Sequence, residues 1–262
     1  MSLLTKLLPG KLTRQLVSRT VQQDLLNGRG NLHEDYPSDF TPEEKEDVGL
    51  VRPLSMTSPE RLVSLSRAVD YVVKQSIGGD IVECGVWRGG SMLLVARKLM
   101  RLSDMSRRLY LFDTFEGMSE PGKEDVSATD QKTAEELLAA SDRTAGANVW
   151  CYASLEDVKG NMARSGYPAE KLHFVQGKVE DTLPEPSIDK IALLRLDTDW
   201  YESTRVELET LYDRLVPGGI LIIDDYGHWS GARQAVDEFM ARRNLPLFLQ
   251  RIDYTGRMAI KP

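Results

Sequence analysis

The sequence predicts a Rossmann-like α/β fold, with a mostly parallel sheet covered by helices, an N-terminal helical extension and an antiparallel C-terminal hairpin. Three observations predict it. From residue 80 onward, short strand-like runs alternate with helical patterns. Two of those runs, Ile191-Ala192-Leu193-Leu194 and Ile220-Leu221-Ile222-Ile223, are apolar throughout, as strands buried on both faces are. The tail holds two further runs, 247–253 and Arg257–Ile260, divided by the turn residues Tyr254-Thr255-Gly256.

In chain order, residues 1–57 form the extension, a candidate lid or oligomer contact. Its first ten residues carry a short apolar stretch broken by Lys6, which reads as an amphipathic helix start rather than a signal peptide. Residues 31–46 are rich in Asp, Glu, Pro and Ser and read as loop with short helices. Residues 58–262 form the main domain. Ser58-Pro59 is an N-cap followed by a first-turn proline. The stripe Leu62, Leu65, Val69, Val72, Val73 then continues a helix to about Gly78-Gly79. Strands are expected at Asp80–Cys84, Leu109–Asp113, 149–152, Leu172–Gln176, 191–197 and 220–224. Helices are expected at 91–102, 134–140, 155–164, 202–215 and 232–242. Residues 117–147 are a long charged insertion, a candidate lid over the site.

The chain has 262 residues, 41% hydrophobic and 28% charged, enough to bury a sizeable core. Its formal charge of -7 argues against nucleic acid or an anionic membrane as the partner, since phosphate binding needs clustered Lys and Arg. No apolar run reaches the roughly 20 residues that span a bilayer. Cys84 and Cys151 lie far apart in no metal-like spacing, which suits a reducing cytoplasm. A small molecule is the expected partner. The helical, partly apolar pieces of the first 50 residues point to a homo-oligomer.

Ligands of open α/β sheets bind at the carboxyl ends of the strands, so the residues following each strand matter most. The first strand ends Glu83-Cys84-Gly85-Val86-Trp87-Arg88-Gly89-Gly90-Ser91. The glycines permit a sharp turn and close ligand approach, and the following helix N-terminus favours an anionic group. The spacing is not G-x-G-x-x-G, which suits a carboxylate-bearing ligand better than a pyrophosphate. A tight βα turn that binds nothing is the alternative. The second strand ends Asp113-Thr114-Phe115, where Asp113 could accept a vicinal ribose diol and Phe115 flank an adenine. Capping of the next turn is the other reading of Asp113. After Gln176, Gly177 could admit the adenine edge.

The strongest constellation joins two strand ends, Asp197-Thr198-Asp199-Trp200 and Asp224-Asp225-Tyr226-Gly227-His228. Carboxylates packed together repel unless some are protonated or a cation neutralises them. A hard divalent ion with oxygen ligands, such as Mg²⁺, answers that need. Helix capping by Asp199 and Asp225 is the structural alternative.

At these residues the chain resembles the macrolide-sugar O-methyltransferase family of the tylosin, mycinamicin and novobiocin pathways. The resemblance rests on the run from Asp80 to Ser91, Phe112-Asp113-Thr114-Phe115-Glu116-Gly117-Met118, Asp197-Thr198-Asp199-Trp200-Tyr201-Glu202-Ser203-Thr204, and Pro217-Gly218-Gly219-Ile220 through Asp224-Asp225-Tyr226. It covers about residues 50 to 262. It implies a class I methyltransferase fold and transfer of a methyl group from S-adenosylmethionine to a hydroxyl of a small molecule. A sugar of a glycosylated natural product is the expected acceptor, with a phenolic hydroxyl as the alternative. The cofactor would lie against Glu83, Gly85, Val86, Trp87 and Ser91, against Asp113, Thr114 and Phe115, and against Gly177 and Asp197. Mg²⁺ would be held by Asp197, Asp224 and Asp225. Catechol O-methyltransferases carry a Lys base three residues after the first such Asp. Trp200 stands there in this chain, which leaves Asp199, Asp197 within the metal shell, or His228 as the proton acceptor. A nicotinamide-dependent dehydrogenase would also use Asp113, but the missing G-x-G-x-x-G and the carboxylate cluster oppose it. A non-catalytic binding protein on the same fold is the remaining reading.

Overall fold

A computed structural model describes residues 36–143, 148–185 and 187–262. The compact unit is Phe40–Pro262, so it begins inside the segment 1–57 that the sequence sets apart. Phe40, Val48, Val51 and Leu54 are buried in it. Most of the residues behind the expected lid or oligomer role of the extension lie outside the described residues.

Helix α1 (Pro42–Val51) starts with a capping box, in which Thr41 and Glu44 satisfy each other's backbone N–H groups. Its buried Asp47 faces Arg97 and Arg101 of helix α3 (Gly90–Arg101). Helix α2 (Pro59–Lys74) opens at Ser58 as predicted, and the Ser58 hydroxyl accepts from Arg61 N at 3.2 Å.

The described strands form one seven-stranded sheet in the order β3-β2-β1-β4-β5-β7-β6. Strands β1 (Asp80–Cys84), β2 (Leu109–Asp113), β3 (Leu172–Gln176), β4 (Ile191–Leu196) and β5 (Leu215–Ile223) run parallel. Strands β6 (Gln250–Arg251) and β7 (Arg257–Ile260) close one edge antiparallel, as the tail pattern predicts. Val82, Tyr110, Leu194 and Leu221 pack on one face with Leu208, Leu211 and Phe239. These last come from helices α7 (Tyr201–Leu211) and α8 (Ser230–Arg243). Helix α2 contacts β4 and β5, and α3 contacts β2.

Three expected elements differ. Residues 149–152 are not a strand: the Asn148 side chain accepts from Trp150 N at 2.8 Å, and Cys151 takes φ +46°, so the backbone turns. Val149 and Trp150 pack instead against the buried Trp200 and Trp229. The helix expected over 202–215 ends at Leu211 and passes through a short 3-10 turn into β5, which starts early because Leu215 pairs with Ile191. Strand β6 keeps only two residues, because the Asp253 carboxylate folds back onto the amides of Thr255 (2.9 Å) and Gly256 (2.7 Å). The insertion carries helix α4 (Ala134–Ala139), followed by helix α5 (Leu155–Ala163); helix α6 (Val179–Thr182) follows β3.

Candidate active site

The turn after β1 is shaped by two constraints. Gly85 has φ +82°, and a Cβ there would lie 2.0 Å from the Asp197 carbonyl oxygen. The glycine is therefore demanded by the approach of the β1 and β4 backbones, not only by room for a ligand. The turn is also clamped from β2. Asp113 Oδ2 accepts from Val86 N at 2.7 Å and Trp87 N at 3.0 Å, while Oδ1 accepts from Phe115 N at 2.7 Å. A ribose diol would have to share these oxygens with three amides. Burial raises the Asp113 pKa and the same amides oppose the rise.

Two of the residues expected at the cofactor do other work. Thr114 Oγ1 donates to Gly117 O at 2.6 Å and accepts from Glu116 N at 3.1 Å, so its side chain builds the turn. Phe115 is 3% exposed, with its ring tilted against Phe174. Ser91 is buried in the first turn of α3. Gly177 N donates to Asp113 O at 3.0 Å, which sets the β3 end beside the β2 end. Two buried polar atoms of the first strand end have no partner: Glu83 Oε2 and Trp87 Nε1. An open acceptor and an open donor together suit a ligand that carries both an ammonium and a carboxylate.

Asp197, Asp199 and Asp225 converge, with one carboxylate oxygen from each lying within 4.8 Å of the others. Among the described residues this is the group that could hold a metal ion. Burial, then Asp225, holds Asp199 well above the carboxylate range; burial and then Asp197 push Asp225 up to about 7. Asp199 hydrogen-bonds to Asp225 and receives a bond from the Trp229 side chain. Arg195 beside Asp197 and the field of Arg61 offset only part of this crowding, which a divalent cation would relieve.

Asp224, the third expected ligand, is not in that group. Its Oδ1 is 2.6 Å from Arg195 Nη2, and its Oδ2 is bonded by Arg61 Nη1. Asp224 would have to loosen one of those bonds to reach the cluster. Glu83 is likewise paired, with Arg195 Nη1 2.5 Å from Oε1. Burial nevertheless pushes Glu83 up to about 8, because desolvation outweighs the attraction of Arg195.

His228 lies at the rim. Its Nδ1 is bonded to the Tyr254 hydroxyl, and its ring stands edge-on to Trp229 at 4.8 Å. Burial lowers its pKa. The insertion is anchored beside these groups. Asp125, fully buried, accepts from Tyr201 N at 2.8 Å and Gly122 N at 2.7 Å, capping α7 from outside the helix. The Trp200 indole donates to Ser119 O at 3.1 Å.

The backbone carries strain just past the strand ends: Trp87, Phe115 and Asp199 have φ between +46° and +69°. Sequence reasoning missed Arg61, Arg195, Asp125 and Glu207. Arg195 had a signal, as a charge inside an otherwise apolar strand, and the others had none.

The chain matches the profile of the macrocin-O-methyltransferase (TylF) family over residues 11–260. It belongs to that family. It is 37% identical over 202 residues to the 8-demethyl-8-(2,3-dimethoxy-alpha-L-rhamnosyl)-tetracenomycin-C 4'-O-methyltransferase of Streptomyces olivaceus, covering 77% of this chain and 73% of that one. It is 30% identical over 246 residues to the mycinamicin III 3''-O-methyltransferase of Micromonospora griseorubida, covering 94% and 92%. The solved structure of the O-methyltransferase NovP superposes with a TM-score of 0.70 at 30% identity, covering 94% of this chain and 98% of that one. The expected family and the class I methyltransferase fold are thus shown, and the protein is an O-methyltransferase. Among the described residues no helix is long and apolar enough to cross a membrane.

Proposed function

We propose that this O-methyltransferase transfers the methyl group of S-adenosylmethionine to a sugar hydroxyl of a glycosylated small molecule, with a divalent cation, Mg²⁺, assisting. The observation that carries the reading is the convergence of Asp197, Asp199 and Asp225 at the β4 and β5 ends. It lies on the same sheet edge as the unpartnered Glu83 Oε2 and Trp87 Nε1. The sugar acceptor is supported by the relatives, one named for a rhamnosyl tetracenomycin and one for mycinamicin III.

The Asp113 carboxylate holds the β1 turn in the form that meets the cofactor, by fixing the Val86 and Trp87 amides. Asp197 and Asp225, common to the sequence-implied set and the observed cluster, would hold the cation. When bound, it would supply neutralising charge and Lewis-acid polarisation of the acceptor oxygen. Asp199 takes the proton from the acceptor hydroxyl. Burial and the negative neighbours raise its proton affinity above that of an ordinary carboxylate, the direction a general base needs. His228 is the weaker candidate, because the Tyr254 hydroxyl already occupies its Nδ1. The acceptor oxygen attacks the methyl carbon, the carbon–sulfur bond breaks, and S-adenosylhomocysteine leaves. The anchored insertion limits water at the reacting atoms.

The test is calorimetry with S-adenosylhomocysteine and then Mg²⁺, followed by methyl transfer from labelled S-adenosylmethionine to a panel of rhamnosides and phenols. Cofactor-product binding, a Mg²⁺ signal lost in Asp225→Asn, and methylated rhamnosides are expected. Asp199→Asn should bind S-adenosylhomocysteine normally but turn over about 100-fold more slowly or worse. Transfer to phenols alone would move the acceptor class, and full turnover by Asp199→Asn would remove the base.

A further inference from the structure

Arg195 is the one charged residue in the buried run Ile191–Leu196, and it is 3% exposed. Its two terminal nitrogens each serve two acceptors. Nη1 lies 2.5 Å from Glu83 Oε1 and 2.6 Å from Asp197 Oδ2. Nη2 lies 2.6 Å from Asp224 Oδ1 and donates to Thr57 Oγ1 at 2.9 Å. The four acceptors come from β1, the β4 end, the β5 end and the stretch before α2. The second oxygen of Asp224 is held by Arg61, whose Nε reaches Asp253 Oδ2 at 3.0 Å. Buried ion pairs stabilise a fold little compared with apolar packing, so stability alone does not account for this arrangement. What a planar fork with fixed donor directions does supply is orientation.

We propose that Arg195 is a positioning residue: one buried guanidinium holds Glu83 on the cofactor side, Asp224 at the β5 end outside the cluster, and Asp197 within the cluster, so that the cation meets strand ends already in place. This rests on the reading of the cluster as a cation site. The alternatives differ in sign. A positive charge beside the cluster repels a cation, so if Arg195 acted by charge alone, neutralising it would tighten metal binding. If it acts by orientation, its loss weakens binding, and lysine cannot replace it, because a point charge on a flexible stem cannot span four acceptors.

The test titrates Mn²⁺ into the full-length protein with S-adenosylhomocysteine present, reading free Mn²⁺ by electron paramagnetic resonance. Wild type, Arg195→Lys, Arg195→Met and Thr57→Val are compared, with circular dichroism confirming the fold. We expect Arg195→Lys and Arg195→Met to bind Mn²⁺ at least about tenfold more weakly, the scale of losing a group that orients metal ligands. Thr57→Val, which frees one side of the guanidinium and touches no charge, should show a smaller loss in the same direction. Affinity unchanged or tighter in a folded Arg195 variant overturns the inference while leaving the cation site intact. If neither Arg195 variant folds, unchanged affinity in Thr57→Val overturns it. A wild type that binds no Mn²⁺ overturns the cation site and this inference together.

Discussion

Glu207 sits on α7 with no exposed surface, directly beneath the turn that carries Asp199. Thr198 Oγ1 donates to its Oε1 at 2.9 Å, and its Oε2 is buried without a partner. The charges nearest to it, Glu180, Asp225 and Asp197, are all negative. Burial, the largest cause, holds its pKa well above the carboxylate range; the Thr198 bond, next in size, opposes the rise, and those acids add to it. The folded protein therefore binds a proton at Glu207 that the unfolded chain releases above its ordinary value of 4.5. With more protons bound in the native state, stability falls as pH rises. The fall begins near pH 4.5 and continues until the folded group ionises, at up to about 1.4 kcal/mol per pH unit. Glu207→Gln keeps the shape and the acceptor for Thr198 and removes the titration. Urea unfolding of wild type and Glu207→Gln at half-unit steps from pH 5 to 8 isolates the effect, because other groups titrate in both proteins. The stability difference should move toward the variant as pH rises, whatever its offset at pH 5. A difference that stays flat across this range would mean that Glu207 is ionised in the folded protein and would sink the argument.

Asp125→Ala removes the external cap of α7 and one tie of the insertion. It should cost about 1 kcal/mol and open residues 119–132 to limited proteolysis, whereas an unchanged cleavage pattern would show that Asp125 does not anchor the segment. Gly85→Ala places a Cβ 2.0 Å from the Asp197 carbonyl at φ +82°. A fall in melting temperature of roughly 5 °C or more is expected, at about 2–4 °C per kcal/mol for a domain of this size. Wild-type melting would show that the β1 and β4 ends do not approach so closely.

The parallel strands, the Ser58 cap and the edge hairpin were legible because each is written locally, in apolar runs, a capping pair and a turn tripeptide. The run at 149–152 looked like a strand because apolar residues alone do not distinguish a strand from a loop that packs. Its apolar side chains are used against Trp200 and Trp229. The site was legible to the level of which strand ends carry acids. What each acid does was not, because that depends on register. Thr114 and Phe115 follow the right strand but turn into their own loop and the core. Asp113 was visible as a strand-end acid, while its three amide partners come partly from a turn 26 and 27 residues away in sequence.

Register also explains why the adjacent Asp224 and Asp225 meet opposite surroundings. Glu83 lies beside Arg195, and Arg195 beside Ile222, across the three central strands. Side chains two residues apart on a strand share a face. Asp197 therefore follows Arg195, and Asp224 follows Ile222, on the face where the guanidinium lies, and both reach it at 2.6 Å. Asp225, one residue further, leaves that face and joins Asp199, whose φ of +69° turns it back over the β4 end. Asp197 touches both groups, as partner of Arg195 and member of the carboxylate cluster. The chain thus sorts its acids into those paired directly with a guanidinium and those that are not. Asp224 and Glu83 have Arg195, Asp224 and Asp253 share Arg61, and Asp199 and Asp225 face each other, Asp197 and the Trp229 side chain, with Arg61 and Arg195 acting on Asp225 only through space. That unbalanced remainder, rather than the number of aspartates at the sheet edge, is the physical argument for a cation there. It is also why Asp225→Asn should silence a Mg²⁺ titration more completely than Asp224→Asn, whose carboxylate two arginines already neutralise.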